Sequence, residues 1–280
     1  AYPSIGTPFI DHHAAIFGII ALYSLSLGIL IKKNLFWFFT PMFLVFSFFS
    51  KQIPSSYLLI LFVIVISYYF FITKALNKQN FLYLFFGSLF SILSIIIIFF
   101  INEIPVKNFL VQYIFYPFSL GEGRIDKLNI DFKNSISQFK FIYFSLIPLL
   151  ISLLFLIKIN EKSLIQKKEI IVSFLFLGSI IIFIYCQLLT KNQVLIFFLI
   201  PISIAFSHSY ANKYFDKKYL IYFILVIFIF STVKYHIRFN HNKKFMELTN
   251  ADFNLAVDAE LLDNIFAGLN WITPHYIDDP

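Results

Sequence analysis

The stretch FLYLFFGSLFSILSIIIIFFI, residues 81–101, contains no charged side chain over 21 positions. Because an α-helix rises about 1.5 Å per residue, about 20 apolar residues cross the hydrocarbon core of a bilayer. Seven further apolar segments occur along the chain. Together they predict an all-α polytopic membrane protein with eight spans, at roughly 14–31, 35–50, 57–73, 81–101, 141–157, 170–189, 194–209 and 219–233.

The composition supports this class. Hydrophobic residues make up 59% of the 280 residues and charged residues 13%, against about 25% charged residues in soluble domains. This excludes a soluble globular domain and a disordered chain. The one cysteine, Cys186, also excludes an internal disulfide, and we expect it to be buried in the membrane.

The chain divides into two predicted parts. Residues 1–233 form the membrane domain, with a polar outer-face loop at 102–140, and residues 234–280 form the start of an outward-facing soluble domain. In this tail, 258–267 is predicted to be an amphipathic helix capped by Asp258 and Gly268, and 269–273 a short strand. Because the chain starts at Ala1 without a methionine and stops soon after the tail begins, we expect a truncated piece of a longer protein.

Lysine placement predicts the orientation. The connections after the first, third, fifth and seventh spans hold eleven of the 22 basic residues, whereas the short connections on the other side hold only Lys51 and Lys191. Short lysine-rich loops stay in the cytoplasm, so we expect a multi-pass protein of the bacterial inner membrane with its C-terminal tail outside. The net charge of +7 then needs no nucleic-acid partner.

The predicted spans contain no aspartate or glutamate. Ion-coupled transporters usually carry ionisable groups at membrane depth. The sequence therefore favours chemistry at the outer face over coupled transport.

The main candidate site is GTPFIDHH, residues 6–13, directly before the first span. Asp11 can simply cap the helix and complement its dipole. Beside His12 and His13 the same carboxylate can instead hold a divalent cation, and Mn²⁺ or Zn²⁺ accepts nitrogen ligands more readily than Mg²⁺. Such an ion would act as a Lewis acid on a phosphate leaving group. Paired histidines at an interface can also be amphipathic anchors.

An outward-facing Gly-x-x-x-x-Asp-His-His that opens a membrane helix resembles the second acidic motif of the GT-C membrane glycosyltransferases. These include oligosaccharyltransferase catalytic subunits, protein mannosyltransferases and aminoarabinose transferases. Asp11 matches the first acidic position of the motif, and His13 stands at the second, where the family carries an acid. The resemblance implies that Asp11 is catalytic and that Asp11, His13 and His12 bind a divalent metal (Mn, Mg or Zn) and the donor. It also implies that the principal catalytic aspartate lies upstream of Ala1.

Two outer turns supply further candidates. Lys51 and Gln52 lie between the second and third spans, where an ammonium can meet a lipid phosphate or simply snorkel to the headgroups. Gln187 lies within the sixth apolar segment, and Lys191 and Gln193 follow it. These groups suit phosphate and sugar hydroxyls, or else a polar turn with one helix–helix hydrogen bond.

The long outer loop contains LGEGR, residues 120–124. Its glycines let the backbone approach a ligand, and Arg124 suits a bidentate phosphate contact. Glycine pairs also mark ordinary turns, and Glu122 can neutralise the arginine. By the GT-C resemblance, this loop would cover the active site, with an amphipathic helix over 106–116 on the membrane surface.

These features predict a glycosyltransferase that moves a sugar from a polyprenyl-phosphate-linked donor to an unknown acceptor at the outer face of the membrane. Lys51, Arg124 and Lys191 would bind the lipid phosphate, and Gln52, Gln187 and Gln193 would make further substrate contacts. Three alternatives stay open: a polysaccharide polymerase or ligase, a transporter or flippase of lipid-linked saccharides, and a membrane scaffold without chemistry.

Overall fold

The computed structural model describes residues 10–31, 33–73, 78–117, 119, 131–159, 163–190, 196–215, 218–237, 253–261 and 263–271. Up to residue 237 this part of the chain is mainly helical. Its α-helices are α1 (Ile10–Ile31), α2 (Asn34–Ser50), α3 (Gln52–Thr73), α4 (Lys78–Ile101), α5 (Val106–Phe109), α6 (Lys140–Lys158), α7 (Leu164–Thr190), α8 (Ile196–Tyr214) and α9 (Lys218–Ile237). Two π-helical segments, Leu110–Phe115 and Lys133–Ser137, lie between α5 and α6.

Every predicted span falls on a helix, although not every helix is a clear span. Within the described residues, α1, α3, α4, α6, α7 and α9 are long and apolar enough to cross a membrane. Helix α2 is apolar but has 17 residues with Pro41 inside, and α8 has 19 residues with Pro201 inside. The chain is therefore a mainly helical, multi-pass membrane protein.

Successive helices run in opposite directions. The contacts between helices show this, since helices two apart in the chain meet through the same kind of end. At one end, the Asn34 side chain at the start of α2 donates to Gln79 at the start of α4 (3.1 Å), and the ring of Phe155 near the end of α6 lies 5.5 Å from that of Phe215, after α8. We call this the lysine-rich end. Its exposed cations among the described residues include Lys33, Lys78, Lys158, Lys167 and Lys213. The opposite end, where α1 begins, is called the Asp11 end.

Most of the helices form one compact unit, which ends at Ile229. Within it, α1 packs against α2, α3 and α7. Gly18 permits the close approach, because a Cβ there would lie 2.9 Å from Leu58 Cδ1. Helix α4 is peripheral and exposes most of its phenylalanines and isoleucines, as a lipid-facing helix does. It meets α2 at Gly87, where a Cβ would lie 2.1 Å from the Phe38 carbonyl oxygen. Small residues at such contacts let membrane helices pack closely.

Several helices begin earlier than the sequence predicts, and in two of them the earlier start brings in a carboxylate. Helix α1 begins at Ile10 and α7 at Leu164, so Asp11 and Glu169 both lie inside helices of spanning length. The prediction that the spans hold no carboxylate is therefore wrong for the helices as folded. Hydropathy marks only the apolar stretch and not the helical turns that precede it, and in both of those turns the carboxylate is paired with a lysine.

Residues from Phe230 onward belong to a second compact unit. Its described residues include an antiparallel pair of two-residue strands, β1 (Val257–Asp258) and β2 (Asn270–Trp271), and three 3₁₀ turns, Phe253–Leu255, Ala259–Leu261 and Asn264–Phe266. The predicted strand at 269–273 is confirmed at β2, but the predicted helix over 258–267 is wrong. Asp258 and Asp263 accept from the backbone N–H groups of Glu260 and Ile265 (both 3.0 Å), and such local bonds compete with a continuous helix.

Candidate functional site

The centre of the candidate site is an ion pair between Asp11 and Lys51. Asp11 lies in the first turn of α1, where the positive end of the helix dipole also favours a carboxylate. Lys51 lies in the turn between α2 and α3. Their side chains are 17% and 19% exposed, so both stay accessible from the Asp11 end. The structure thus brings together two candidates that lie 40 residues apart in the sequence.

Buried hydroxyl groups hold the Lys51 turn in place. The backbone N–H of Lys51 donates to the Ser47 carbonyl (3.0 Å), and the Ser55 hydroxyl donates to the Lys51 carbonyl (3.0 Å). Ser47 Oγ in turn donates to the Ala14 carbonyl of α1 (2.6 Å). These bonds join α1, α2 and α3 beneath the ion pair, so the position of the Lys51 ammonium is set by the helix packing.

The two histidines of the motif point in different directions. His12 is buried and His13 is exposed, as expected for successive residues of an α-helix, which lie about 100° apart around the axis. Among the described residues, no three His, Cys, Asp or Glu side chains come together as a ligand set. Asp11, His12 and His13 therefore do not fit a three-ligand site, and Asp11 already meets the ammonium of Lys51. A metal at this motif stays a prediction.

Gln52 connects the candidate site to the outer loop. Its amide donates to the Tyr113 carbonyl, and the Tyr113 hydroxyl donates to the Phe48 carbonyl at the end of α2. The Tyr113 ring stacks on those of Phe109 (centroids 5.0 Å apart) and Phe49 (6.0 Å). Burial raises the pKa of Tyr113 from 10.0 to about 12, which widens the pH range over which its hydroxyl can donate this bond.

The predicted helix over 106–116 is confirmed as α5 and its π-helical continuation, which together we call the loop helix. Its π winding was not predictable from the amphipathic pattern, and such segments frequently occur at functional sites. The Gln52 amide is bonded to the loop helix and so holds that helix beside Lys51. The predicted contact of Gln52 with substrate stays a prediction.

The last turns of α7 reach the same end of the unit. Tyr185 meets Tyr57 of α3 edge-on, with ring centroids 5.5 Å apart. Cys186 is buried, as predicted, and lies within electrostatic reach of Lys51 and Asp11. Gln187 is also buried, so the structure places this candidate inside the helix packing. Arg124, Lys191 and Gln193 lie outside the described residues, and their roles stay predictions.

Sequence analysis missed a second charged cluster, at the lysine-rich end. Lys168 and Glu169 of α7 are 4% and 6% exposed. Lys168 Nζ donates to the Ile29 carbonyl of α1 (2.6 Å) and lies 5.8 Å from the centroid of the Tyr69 ring. Glu169 pairs with Lys213 of α8. The available signal was the adjacent opposite charges immediately before a predicted span.

Comparison with known proteins gives no match: no protein-family model fits the sequence, and neither a curated protein nor a solved structure is significantly similar to the chain. The function of the protein is therefore inferred from the residues of this chain.

Proposed function

We propose that the protein is a membrane glycosyltransferase of the GT-C kind, which moves a sugar from a polyprenyl-phosphate-linked donor to an acceptor at the outer face of a bacterial inner membrane. The observation that carries the proposal is the Asp11–Lys51 ion pair, accessible at the end of the unit opposite most of the lysines. The eight-span topology and the outward-facing soluble tail are parts of the same proposal.

The proposed chemistry needs a cation for the phosphate and a carboxylate that holds the cation in place. The Lys51 ammonium would bind the donor phosphate and stabilise the negative charge that develops on it when the bond between the sugar carbon and the phosphate oxygen breaks. Asp11 would orient that ammonium when no donor is bound. The acceptor would lose its proton to a base, and the proposal does not depend on which carboxylate serves as that base.

The loop helix supports a lipid-linked substrate. Several of its apolar side chains are more than 40% exposed, among them Val106, Leu110, Val111 and Phe115. The face with Phe109 and Tyr113 packs instead on the turn that carries Lys51. A polyprenyl tail could therefore lie along apolar side chains while its phosphate reaches the ammonium.

Binding of undecaprenyl phosphate to the full-length protein, followed by native mass spectrometry, tests this proposal. Loss of a charged hydrogen-bonding partner predicts that Lys51→Met weakens binding about tenfold or more. Lys107→Met is the matched control, because Lys107 is an exposed lysine on the loop helix at the same end, and we expect it to bind as the unaltered protein does. Equal affinity of the two variants would contradict the proposal.

Transport of lipid-linked saccharides is the second candidate, and the buried Lys168 and Glu169 side chains favour it. Ionisable groups buried in membrane helices often mark transport pathways. Transport predicts that the full-length protein in liposomes carries a fluorescent polyprenyl phosphate across the bilayer, measured by chemical quenching of the outer leaflet. A rate equal to that of protein-free liposomes would exclude this candidate for that lipid.

A further inference from the structure

One side of α8 carries four polar residues in a row: Ser203, Ser207, Tyr210 and Lys213. Their spacings of four, three and three residues place them on one face of the helix. Both serines are fully buried and Tyr210 is nearly so, whereas the Lys213 side chain is 52% exposed. The row therefore runs from the surface of the lysine-rich end into the interior.

The row lies where α6, α7 and α8 meet. Ser207 Oγ donates to the Ser145 carbonyl of α6 (2.6 Å), and the Tyr210 hydroxyl donates to the Glu169 carbonyl of α7 (3.1 Å). Lys213 pairs with the Glu169 carboxylate at the mouth of the row.

Two buried oxygen atoms along this row have no hydrogen-bond partner among the described residues: Ser203 Oγ at the inner limit and Glu169 Oε2 near the mouth. A buried polar atom without a partner is costly, and ordered water is the usual partner when protein supplies none. Each of these two atoms therefore indicates a place for an ordered water molecule along the row, one near each limit.

The mouth is closed by few contacts. Lys168, the neighbour of Glu169, donates to the Ile29 carbonyl and so fixes α7 to α1. This contact does not involve α8. Helix α8 is held to α7 here by Lys213 and Tyr210. The Lys213 side chain is half exposed and the Glu169 side chain is 8% exposed, so opening the pair releases the ammonium to water but leaves the carboxylate buried, and this ion pair is the charged contact that holds the mouth closed.

We propose that the row from Ser203 to Lys213 is a water-containing vestibule that opens toward the lysine-rich end, and that the Lys213–Glu169 ion pair is the latch that closes it. This inference is independent of the proposed glycosyltransferase function, because it concerns the opposite end of the helices from Asp11.

Cysteine accessibility tests the vestibule in the full-length protein in membrane vesicles. Cys186→Ala removes the one native thiol of this chain, and Ser207→Cys or Ser203→Cys then places a thiol in the row. A membrane-impermeant trimethylammonium methanethiosulfonate is added on the lysine-rich side. The cysteine sulfur forms a mixed disulfide with the reagent, and a sulfinate leaves.

We expect slow labelling with the latch intact and labelling about fivefold faster after Glu169→Gln or Lys213→Met, as suits a partly exposed ion pair. Leu154→Cys is the matched control for general loosening, because Leu154 is an exposed, apolar position of α6. Its labelling should be unchanged by the latch variants. Lys158→Met, which removes an exposed lysine near the same end, should leave the labelling of Ser207→Cys unchanged.

A charge exchange separates a latch from misfolding. The double variant Glu169→Lys, Lys213→Glu restores opposite charges, so we expect labelling to return toward the slow rate. Labelling that stays slow in both single variants would show that the row is dry helix packing and overturn the proposal. Equal acceleration at Leu154→Cys, or no recovery in the charge exchange, would overturn the latch.

Discussion

The two ends of the helical unit use lysine differently. At the lysine-rich end Lys168 is buried and its ammonium donates to a backbone carbonyl of α1. At the Asp11 end Lys51 is partly exposed and its ammonium meets a carboxylate. Lys168 supplies a hydrogen-bond donor to a carbonyl at the end of α1. Lys51 stays partly accessible to solvent. The same side chain thus serves packing at one end and, in the function proposed above, binds the donor phosphate at the other.

This difference follows from what surrounds each ammonium. The last carbonyl groups of α1 have no partner within their own helix, and Lys168 supplies one of them at Ile29. Asp11 lies at the start of the same helix, where a carboxylate is already favoured by the dipole. The helix can therefore begin at this point without the ion pair, and in the function proposed above Lys51 changes partner when a phosphate arrives.

The largest expected effect comes from Lys168→Met, which keeps the apolar stem and removes the ammonium. The Ile29 carbonyl would be left buried without this donor, which costs about 1–3 kcal/mol. Thermal unfolding in detergent should show the loss. Lys51→Met is the comparison variant and should lose clearly less stability. Equal losses would remove the distinction between the two ends.

A smaller effect is expected for Tyr113→Phe at the Asp11 end. The variant loses the bond from the Tyr113 hydroxyl to the Phe48 carbonyl, worth about 1 kcal/mol. The loop helix should then be cleaved faster by an added protease within residues 106–117, while the helices stay intact. Unchanged cleavage would show that ring stacking and the Gln52 amide hold the loop helix without the Tyr113 hydroxyl.

The pH dependence of this contact has a definite sign. Burial raises the pKa of Tyr113 to about 12, above the ordinary value of 10.0. The contribution of the protonated Tyr113 hydroxyl to the stability of the folded loop helix is therefore fully present below pH 10. It is lost as the pH rises through about 12. Cleavage of the loop helix should increase over this range in the unaltered protein. The Tyr113→Phe variant should lack that component of the increase, and an identical profile would contradict the assignment.

The smallest effect is expected for the Asp11–Lys51 pair itself. A double-mutant cycle of Asp11→Asn and Lys51→Met should give a coupling free energy of about 1 kcal/mol or less in thermal unfolding, because water at the Asp11 end still reaches both side chains. A coupling of several kcal/mol would show that the pair is a structural element like Lys168, and the two ends would then be alike.

Helix number and order could be predicted from the sequence, because each apolar segment is long enough to be recognised alone. Their alternation also places Asp11 and Lys51 at one end. The partners of Lys168 and Glu169 could not be predicted, since Ile29 and Lys213 are distant in the chain and hydropathy assigns both charges to a loop. The tail shows the limit of periodicity: side-chain caps at Asp258 and Asp263 outweigh an amphipathic pattern.

The most direct test of the central claim, that the Asp11 end performs the chemistry, is to measure polyprenyl-linked sugars by lipid mass spectrometry in cells that depend on the full-length protein. A transferase disabled at this end leaves its donor unused. We therefore predict that Asp11→Asn and Lys51→Met accumulate one polyprenyl-phosphate-linked sugar, whereas Lys107→Met and Lys158→Met do not. Accumulation in none of the four variants, at normal protein levels, would contradict the account.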